Sequence, residues 1–497
     1  MRIVLMTMPA LWEQDQHDFM NTRRFPFRWL KIRPLVNVVP SPSLLYLAPF
    51  LKEDGHEVHY LEGLFYTFEK TVSKIREIEP GIIGVTLTSV DWENSRWMLN
   101  ELKEQFPGSL IVAGGIHPTL WKEKCFREST GIDVLVIGEG EHTMRELASA
   151  VERGAGPTRT DGLKDVKGLM YMQDGGLVTT PPRDVTEDID TLPFPSHELV
   201  DVNAYIPSPT FYKSLPHANI IGARGCPYQC IFCHTDRHVR MRSAANIVDE
   251  IEILYRDQGV TDIAFWDDTF TLSKKRAMEF CGEMIDREIR VSWAVNARVD
   301  RVDRELLEEM RRAGCWRVLY GIESGVQKNL DTLKKGTSLD QIRNAVSMTA
   351  GAGIEAYGTF MFGIPGETFE EGLRTIEFAC SLPLDYAVFV NLTPLPGTEV
   401  YEDLLSGSIT PAKFTENRFN FKNVSFVPEG MTEEQIRYLI QAGHRRFYMR
   451  PRLIWKKIRS IRSFFDLSKY IRGFLLIGTS EYSRPPTPDH PPLSRTE

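Results

Sequence analysis

The chain has 497 residues, of which 42% are apolar and 25% charged. These values are typical of globular proteins and exclude a disordered or collagen-like chain. The formal net charge of −8 argues against a globally basic nucleic-acid-binding protein. Seven cysteines in so long a chain favour a reducing compartment over a disulfide framework. No signal peptide and no apolar run of about 18 residues is visible, so we expect a cytoplasmic protein.

The first 150 residues alternate short apolar runs with helical patterns. Residues 3–6 form a short apolar run. Strands are predicted at 57–61, 81–88, 110–115 and 134–138, and helices at 43–53, at 92–105 and from about 143. Strands that alternate with helices form parallel sheets with both faces covered, so residues 1–150 are predicted to be an α/β domain. Glycines that end such strands lie at the edge where ligands bind. Gly114-Gly115 and the segment 138–141 could equally be plain turns.

The rest of the chain divides into four stretches. Residues 151–215 are rich in turn-forming residues and are predicted to be a linker with a short hairpin near 168–180. Residues 216–405 again alternate strands and helices. Residues 406–480 are basic, aromatic and mostly helical, whereas the Pro-rich residues 481–497 are predicted to be disordered.

Residues 216–405 have six predicted strands. They lie at 219–223, 263–266, 291–295, 317–321, 357–363 and 386–390, with helices such as 244–257 and 338–351 between them. Six successive right-handed strand–helix units indicate a partial (βα)6 barrel of the TIM type.

Three of the seven cysteines fall within eight positions, directly after the first barrel strand. Cys226, Cys230 and Cys233 have the spacing C-x3-C-x2-C. Three thiolates can hold three irons of a cubane cluster and leave the fourth iron without a protein ligand. An open metal position is typical of a catalytic site. The alternative is a zinc knuckle completed by His234 or His238.

This segment resembles the signature of radical S-adenosylmethionine enzymes. Residues 1–405 resemble the subgroup with an N-terminal, Rossmann-like cobalamin-binding domain, which includes anaerobic magnesium-protoporphyrin monomethyl ester cyclases and the hopanoid and tetrapyrrole methylases. Seven short phrases carry the resemblance in chain order: 43–48 with 55–58, 113–118, 138–142, 265–270, 321–325, 362–367 and 394–398.

The resemblance implies a [4Fe–4S] cluster on the three cysteines and S-adenosylmethionine on its open iron. Reductive cleavage, fed by a low-potential donor of the flavodoxin or ferredoxin type, then yields a 5′-deoxyadenosyl radical that abstracts hydrogen from a small hydrophobic substrate. It also implies contacts of S-adenosylmethionine with Phe232 (adenine), Asp267 and Asp268 (amine), Arg298 (carboxylate), Glu323 (ribose) and the backbone of Gly363 and Gly366 (adenine). Helix caps or salt bridges at the barrel rim are the alternative roles for the charged residues among these.

The resemblance further implies cobalamin contacts, mostly through the backbone. They lie at Thr86, Ser89, Gly114, Gly115, His117, Gly138, Glu139 and Glu141. Many corrinoid proteins carry Asp-x-His-x-x-Gly with the histidine on cobalt, and Asp15-Gln-His17 begins like it, but Met20 replaces the glycine. We therefore interpret His17 as an ordinary loop residue and expect base-off cobalamin. The domain could also be vestigial, as in subgroup members that run oxidations or ring closures.

Residues 445–472 contain ten Lys or Arg and one acid, Asp466. Ile454, Ile458, Ile461 and Phe465 share one helical stripe, flanked by Trp455 and Phe464. A basic amphipathic helix with such a stripe suits an anionic membrane surface. A helix packed on the enzyme and a nucleic-acid contact are the alternatives, and we expect no nucleic-acid partner.

Together these features predict a cobalamin-dependent radical S-adenosylmethionine C-methyltransferase. Its substrate would be an unactivated carbon of a hydrophobic polycycle, either a tetrapyrrole of the bacteriochlorophyll pathway or a hopanoid-type lipid. An oxidative cyclase or ring-contraction enzyme without methyl transfer is the alternative. A non-catalytic corrinoid or iron–sulfur sensor is a more distant one.

Overall fold

The computed structural model describes residues 1–9, 39–156, 160–208, 210–415 and 424–461. The chain falls into two compact units. The first comprises Met1–Arg224, His238–Trp266 and Asp286–Ser292, and the second comprises Gly225–Arg237, Asp267–Ile285 and the chain from Trp293 onward. His17, Phe464, Phe465 and residues 481–497 lie outside the described residues.

The first unit is built on a seven-stranded sheet. Its strands are β1 (Arg2–Thr7), β2 (Glu57–Leu61), β3 (Ile82–Thr86), β4 (Leu110–Gly114), β5 (Val134–Val136), β6 (Leu169–Gln173) and β7 (Gly176–Thr179). Their order is β2-β1-β3-β4-β5-β6-β7, with β1 to β5 parallel and β6 and β7 antiparallel. Residues 3–6 of β1 are fully buried, which explains why an unbroken apolar run forms this inner strand.

Helices cover this sheet. In the described part they are α1 (Pro42–Glu53), α2 (Phe68–Ile78), α3 (Trp92–Gln105), α4 (Ile116–Trp121), α5 (Glu123–Glu128) and α6 (Glu141–Glu152). Leu44 and Leu51 of α1 and Leu147 of α6 pack with the sheet in one core. All strands and helices predicted for the first 150 residues are present.

The hairpin predicted near 168–180 is also present, and it extends the sheet. β6 pairs antiparallel with β5, with Tyr171 opposite Val134 and Leu169 opposite Val136. Tyr171 is fully buried in the core of the sheet. Part of the expected linker therefore contributes two strands to the first unit, while the predicted boundary at residue 150 stays a prediction.

The first unit also contains the first two strands of the second strand–helix series, together with the helix between them. β8 (His217–Ile220) is followed by the antiparallel pair β9 (Ala223–Arg224) and β10 (Arg240–Met241), then by α7 (Ala244–Asp257) and β11 (Asp262–Phe265). β8 and β11 pair in parallel. The cysteine segment lies in the chain between β9 and β10.

The second unit continues the alternation with four parallel strands. They are β12 (Ser292–Ala297), β13 (Cys315–Glu323), β14 (Glu355–Phe362) and β15 (Tyr386–Asn391), adjacent in that order. The helices are α8 (Lys274–Asp286), α9 (Arg304–Arg312), α10 (Gln327–Thr332), α11 (Leu339–Gly351), α12 (Phe369–Ser381) and α13 (Glu399–Leu405). The chain thus has six strand–helix repeats in sequence, and the predicted α/β fold class is confirmed.

The C-terminal region is mostly helical, as predicted, but it begins with a strand pair that the sequence did not indicate. β16 (Pro411–Phe414) and β17 (Phe426–Pro428) are antiparallel, and α14 (Glu433–Tyr448) and α15 (Pro451–Ser460) follow. A Cβ on Gly443 of α14 would lie 2.7 Å from the Phe389 ring, and one on Gly372 would lie 2.4 Å from Leu439. Glycine at both positions lets α14 pack closely on β15 and α12.

Candidate cofactor sites

The cysteine segment forms a loop that backbone hydrogen bonds fix in place. The Cys226 N–H donates to the Asp236 carbonyl at 2.8 Å, and the Ile231 N–H donates to the Leu333 carbonyl at 3.2 Å. Gly225, directly before Cys226, has φ of +90°, a conformation that favours glycine. The three cysteines are therefore carried by a loop of defined shape.

The three thiols of the loop differ in exposure. Cys226 is half-buried, Cys230 is buried and Cys233 is exposed, and all three are free. Burial raises the pKa of the Cys230 thiol, and the positive charges of Lys335 and Arg298 oppose that rise. Because the thiolate is the metal-binding form, these two cations favour the ligand state of the loop.

The histidines that would complete a zinc knuckle have other partners. His234 Nδ1 lies 2.9 Å from the Gly397 carbonyl oxygen, and His238 Nε2 lies 2.7 Å from Glu187. Within the described ranges, no three His, Cys, Asp or Glu side chains converge on one metal position. A cubane cluster spreads its cysteines over separate irons and needs no histidine of the loop as a ligand.

Asp267 and Asp268 follow β11, and the structure gives them different surroundings. Asp267 is fully buried and pairs with Arg276 Nη2 at 3.1 Å, while its carbonyl accepts a hydrogen bond from Asn296. Asp268 is exposed and accepts a hydrogen bond from Thr235 of the cysteine loop at 2.8 Å. Asp267 therefore anchors the strand end, and Asp268 is the carboxylate presented beside the loop.

Glu323, the last residue of β13, is buried and adopts a left-handed conformation with φ of +67°. Its Oε1 accepts a hydrogen bond from Lys335 Nζ at 2.8 Å. Burial disfavours the charged form of Lys335, but the Glu323 carboxylate and the Cys230 thiolate outweigh it, so the pKa of Lys335 is raised. Non-glycine residues in this conformation store strain and concentrate at functional sites.

Arg298 follows β12 and is buried against the cysteine loop. Its guanidinium lies 3.6 Å from the ring centroid of Tyr228, a residue of that loop. Arg298 Nη2 donates to the Lys335 carbonyl at 2.8 Å, and Nε donates to Asp300 at 2.9 Å. The predicted contact of Arg298 with the carboxylate of S-adenosylmethionine stays a prediction.

Phe232 is part of the cysteine loop, and Gly363 directly follows β14. Phe232 is half-buried and packs against a core cluster that includes Leu333 and Ile364. Gly363 has φ of +82°, and its N–H donates to Glu367 Oε2 at 2.7 Å. Burial raises the pKa of Glu367 to about 8, against the opposing effect of the backbone N–H groups it accepts. Gly366 also has a positive φ, of +73°.

The first unit contains a cavity of about 340 Å³ at the carboxyl ends of β1, β3, β4 and β5. Six of the predicted cobalamin contacts line it: Thr86, Gly114, Gly115, Gly138, Glu139 and Glu141. A Cβ on Gly115 would lie 2.9 Å from Thr86 Oγ1 and from the Leu87 carbonyl, so only glycine fits this wall. Among the described lining residues none is a histidine.

Two arginines bind the carboxylates of this cavity. Arg240 makes two hydrogen bonds to Glu139, at 3.0 and 2.8 Å. Arg224, at the end of β9, pairs with Glu139 at 2.9 Å and with Glu141 at 2.6 Å. Burial alone would raise the pKa of Glu139, but the hydrogen bonds and charges of these arginines lower it. Both glutamates are therefore part of an ion-pair network in the wall.

Ser89 and His117, the remaining two predicted contacts, bind each other instead of lining the cavity. Ser89 Oγ lies 3.1 Å from His117 Nδ1. The His117 ring is fully buried and stacks between Trp92 at 4.5 Å and Trp121 at 5.4 Å. His117 Nε2 has no hydrogen-bond partner among the described residues, and burial lowers the pKa of His117 to about 4. Their role as cobalamin contacts stays a prediction.

Comparison with known proteins adds to this geometry. Residues 220–379 match the model of the radical SAM superfamily, and residues 32–148 match that of the B12 binding domain. The chain is 32% identical over 446 residues to an uncharacterized methyltransferase of Pyrococcus horikoshii, which covers 88% of this chain and 94% of that protein. The chain belongs to the radical S-adenosylmethionine superfamily.

Two further proteins resemble this radical S-adenosylmethionine enzyme. It is 30% identical over 425 residues to the anaerobic magnesium-protoporphyrin IX monomethyl ester cyclase of Cereibacter sphaeroides, covering 83% of this chain and 68% of that protein. The fold matches the methyltransferase TsrM of Kitasatospora setae, solved with cobalamin and a [4Fe–4S] cluster, with a TM-score of 0.66 at 20% identity, covering 89% and 88% of the two chains. This second likeness shows the fold.

The residues of the enzyme fit the cofactors of its family, which are a [4Fe–4S] cluster, S-adenosylmethionine and cobalamin. The donor set of the loop consists of Cys226, Cys230 and Cys233, as a cluster with an open iron requires. In the first unit, the glycine-edged wall of the cavity is one that added side chains would fill.

No helix in the described ranges is long and apolar enough to cross a membrane.

Sequence reasoning missed four charged or aromatic residues of the enzyme's sites. Tyr228 of the loop stacks on Arg298, and Lys335 pairs with Glu323. Arg224 and Arg240 pair with the cavity residue Glu139. Arg224 and Tyr228 lie within or beside the cysteine motif, so their position in the chain was a usable signal. Lys335 and Arg240 carried no such signal, because only the fold brings them to their partners.

Proposed function

We propose that the chain is a cobalamin-dependent radical S-adenosylmethionine C-methyltransferase that acts on an unactivated carbon of a hydrophobic polycycle. The observation that carries this proposal is that one chain holds both a three-cysteine loop and a glycine-edged cavity in a B12-binding domain. When bound, the cluster and S-adenosylmethionine supply a hydrogen-abstracting radical, and cobalamin supplies a methyl group.

In this proposal the residues around the loop bind and orient S-adenosylmethionine. Asp268, exposed beside the loop, takes the ammonium group, since a carboxylate and an ammonium form a charge-assisted pair. Glu323 keeps Oε1 on Lys335 and offers Oε2 to the ribose hydroxyls. Asp267 does not touch the cofactor in this account, because its carboxylate is buried on Arg276.

The substrate class we propose is a tetrapyrrole of the bacteriochlorophyll pathway or a hopanoid-type lipid. Support comes from the relative at 30% identity, whose name gives a magnesium-porphyrin substrate. That name also supports the alternative, an oxidative cyclisation without methyl transfer. A low-potential flavodoxin or ferredoxin is the proposed electron donor.

Isotope labelling separates the two reactions. The reconstituted enzyme is incubated without oxygen with dithionite, trideuteromethyl S-adenosylmethionine and a candidate tetrapyrrole or hopanoid. Methyl transfer predicts a product that carries the labelled methyl group. Consumption of substrate with no gain of label would overturn the methyltransferase proposal in favour of the cyclase. Cys230→Ala should give neither product, whereas Cys380→Ser, a half-buried cysteine outside the loop, should retain activity.

We also propose that α15 contacts an anionic membrane surface. Ile454, Trp455 and Ile458 are 39%, 56% and 53% exposed. The helix is held to its own unit by other side chains: Lys456 pairs with Asp385 at 2.5 Å, and Lys457 lies 3.8 Å from the ring centroid of Tyr386. The apolar face therefore points away from the packing contacts.

The charges around the exposed face also favour an anionic membrane as its partner. Arg452 and Arg459 flank Trp455, and Arg459 lies 4.9 Å from the Trp455 ring centroid. Apolar and aromatic side chains bordered by arginines are typical of helices that lie in the headgroup region of anionic bilayers. A packing role against another protein and nucleic-acid binding are the competing occupants.

Vesicle flotation tests the membrane contact. The full chain should float with phosphatidylcholine vesicles that contain phosphatidylglycerol and remain below with phosphatidylcholine alone. Trp455→Ala with Ile458→Ser should abolish flotation, whereas Trp97→Ala, which removes an exposed tryptophan of α3, should not. Equal flotation of both variants would contradict the proposal.

A further inference from the structure

We propose that Lys335 is a positioning residue whose ammonium charge favours the reduced state of the cluster bound by the cysteine loop. The inference rests on the cluster of the proposed function but not on methyl transfer or on the identity of the substrate. Lys335 belongs to no motif that the sequence indicated, and its place emerges only from contacts in the second unit.

The ammonium group of Lys335 is enclosed beside the loop. The residue is 9% exposed, and Nζ donates to Glu323 Oε1 at 2.8 Å. Nζ also lies 5.7 Å from the ring centroid of Phe232, the residue between Ile231 and Cys233. A Cβ on Gly321 would lie 2.7 Å from Nζ, so the β13 backbone also confines the side chain.

The backbone around Lys335 is tied to the same loop from two sides. The Leu333 carbonyl accepts the Ile231 N–H at 3.2 Å, which links the segment to the residue after Cys230. The Lys335 carbonyl accepts Arg298 Nη2 at 2.8 Å, and Arg298 in turn stacks on Tyr228. The position of the ammonium relative to the cysteines is therefore fixed by hydrogen bonds and not by a flexible side chain alone.

A positive charge fixed beside the cysteine loop affects electron transfer to the cluster. Reduction adds one negative charge to a cluster, and the potential of a cluster depends on net charge, hydrogen bonding to its sulfurs and exposure. A buried cation interacts more strongly with that added charge than an exposed one, because water screens it less. Lys335 therefore stabilises the reduced state, and the Glu323 carboxylate acts in the opposite sense.

A second reading is that Lys335 only anchors Glu323 through its hydrogen bond. An amide at position 335 separates the two, because Lys335→Gln can still donate a hydrogen bond to Glu323 but carries no charge. Lys335→Arg keeps the charge. Lys334→Gln is the matched control, since Lys334 is an exposed neighbour whose partner, Glu399, is also exposed.

The test is a redox titration of the reconstituted full chain without substrate, followed by electron paramagnetic resonance, with iron content measured on each sample. Lys335→Gln should lower the reduction equilibrium constant at least tenfold, which is 59 mV for one electron. Lys335→Arg and Lys334→Gln should stay near the wild type. Glu323→Gln should shift the potential upward.

A Lys335→Gln variant with full iron content and the wild-type potential would overturn the inference and leave an anchoring role. If that variant does not hold iron, Glu323→Gln decides, and an unshifted or lowered potential there would overturn it as well. Absence of a cluster in the wild-type chain would instead contradict the proposed function, so the two failures are distinguishable.

Discussion

Arg224 Nη2 lies 2.6 Å from Glu141 Oε1, in the wall of the glycine-edged cavity. Residue 224 is also the second position before Cys226 in the chain. One arginine thus contributes to the cavity of the first unit and leads directly into the cysteine loop.

Arg224→Met should destabilise the first unit, because it leaves the buried Glu141 carboxylate without its cation. We expect a loss of about 3 kcal/mol in the free energy of unfolding, the usual cost of breaking one side of a buried pair. Cobalamin affinity, measured by the absorbance of bound cobalamin after gel filtration, should fall with it. Arg145→Met, which breaks an exposed pair with Asp54 in the same unit, should lower the free energy of unfolding far less. Equal losses in both variants would contradict this assignment.

His117 should make the chain sensitive to acid. Burial lowers its pKa to about 4, so the unfolded chain takes up a proton between pH 6.5 and about 4 that the folded chain does not. Stability is therefore complete above pH 6.5 and falls as the pH drops to about 4, by up to about 3 kcal/mol. Denaturant unfolding at several pH values should show this loss, and His117→Gln should remove it. The same loss of stability at low pH in His117→Gln would contradict this assignment.

Glu367 should act in the opposite direction. Burial raises its pKa to about 8, so the folded chain holds a proton that the unfolded chain releases above its normal pKa of 4.5. Its contribution to stability is present below pH 4.5 and is lost as the pH rises to about 8. Glu367→Gln should flatten this part of the profile. A glutamine oxygen can still accept the N–H groups of Gly363 and Ile364, so the variant keeps these backbone contacts without a titrating group.

The two aspartates after β11 should separate stability from catalysis. Asp267→Asn should lower the free energy of unfolding by about 3 kcal/mol, because it weakens a buried ion pair with Arg276. Asp268→Asn should leave the melting temperature unchanged and raise the KM for S-adenosylmethionine at least tenfold. Thermal unfolding and steady-state kinetics of both variants check this. A larger loss of stability in Asp268→Asn than in Asp267→Asn would contradict the assignment.

Local patterns in the sequence were sufficient to predict the alternating strands and helices and the cysteine loop, but not the pair β16 and β17. The apolar run of β1 and the helical spacing of α3 are properties of consecutive residues. The spacing of Cys226, Cys230 and Cys233 likewise indicates a cluster-binding loop without any knowledge of the fold. The six strand–helix repeats followed for the same reason.

Pairings between distant residues were not predictable from such patterns. Ser89 and His117 were grouped with the cavity because they follow strand ends, yet tertiary packing buries His117 between two tryptophans. Asp267 and Asp268 were both predicted to contact the amine, and the structure separates them because Asp267 pairs with Arg276. Likewise, the pattern of α15 predicted an apolar stripe, but the packing of Lys456 and Lys457 decides that this stripe is exposed.

The most direct test of the central claim is the formation of 5′-deoxyadenosine. The full chain, reconstituted with iron and sulfide without oxygen and supplied with S-adenosylmethionine and dithionite, should produce 5′-deoxyadenosine detectable by liquid chromatography and mass spectrometry. Cys230→Ala should produce none, and Cys380→Ser should match the wild type. An intact cluster in the wild-type chain with no 5′-deoxyadenosine would contradict the account.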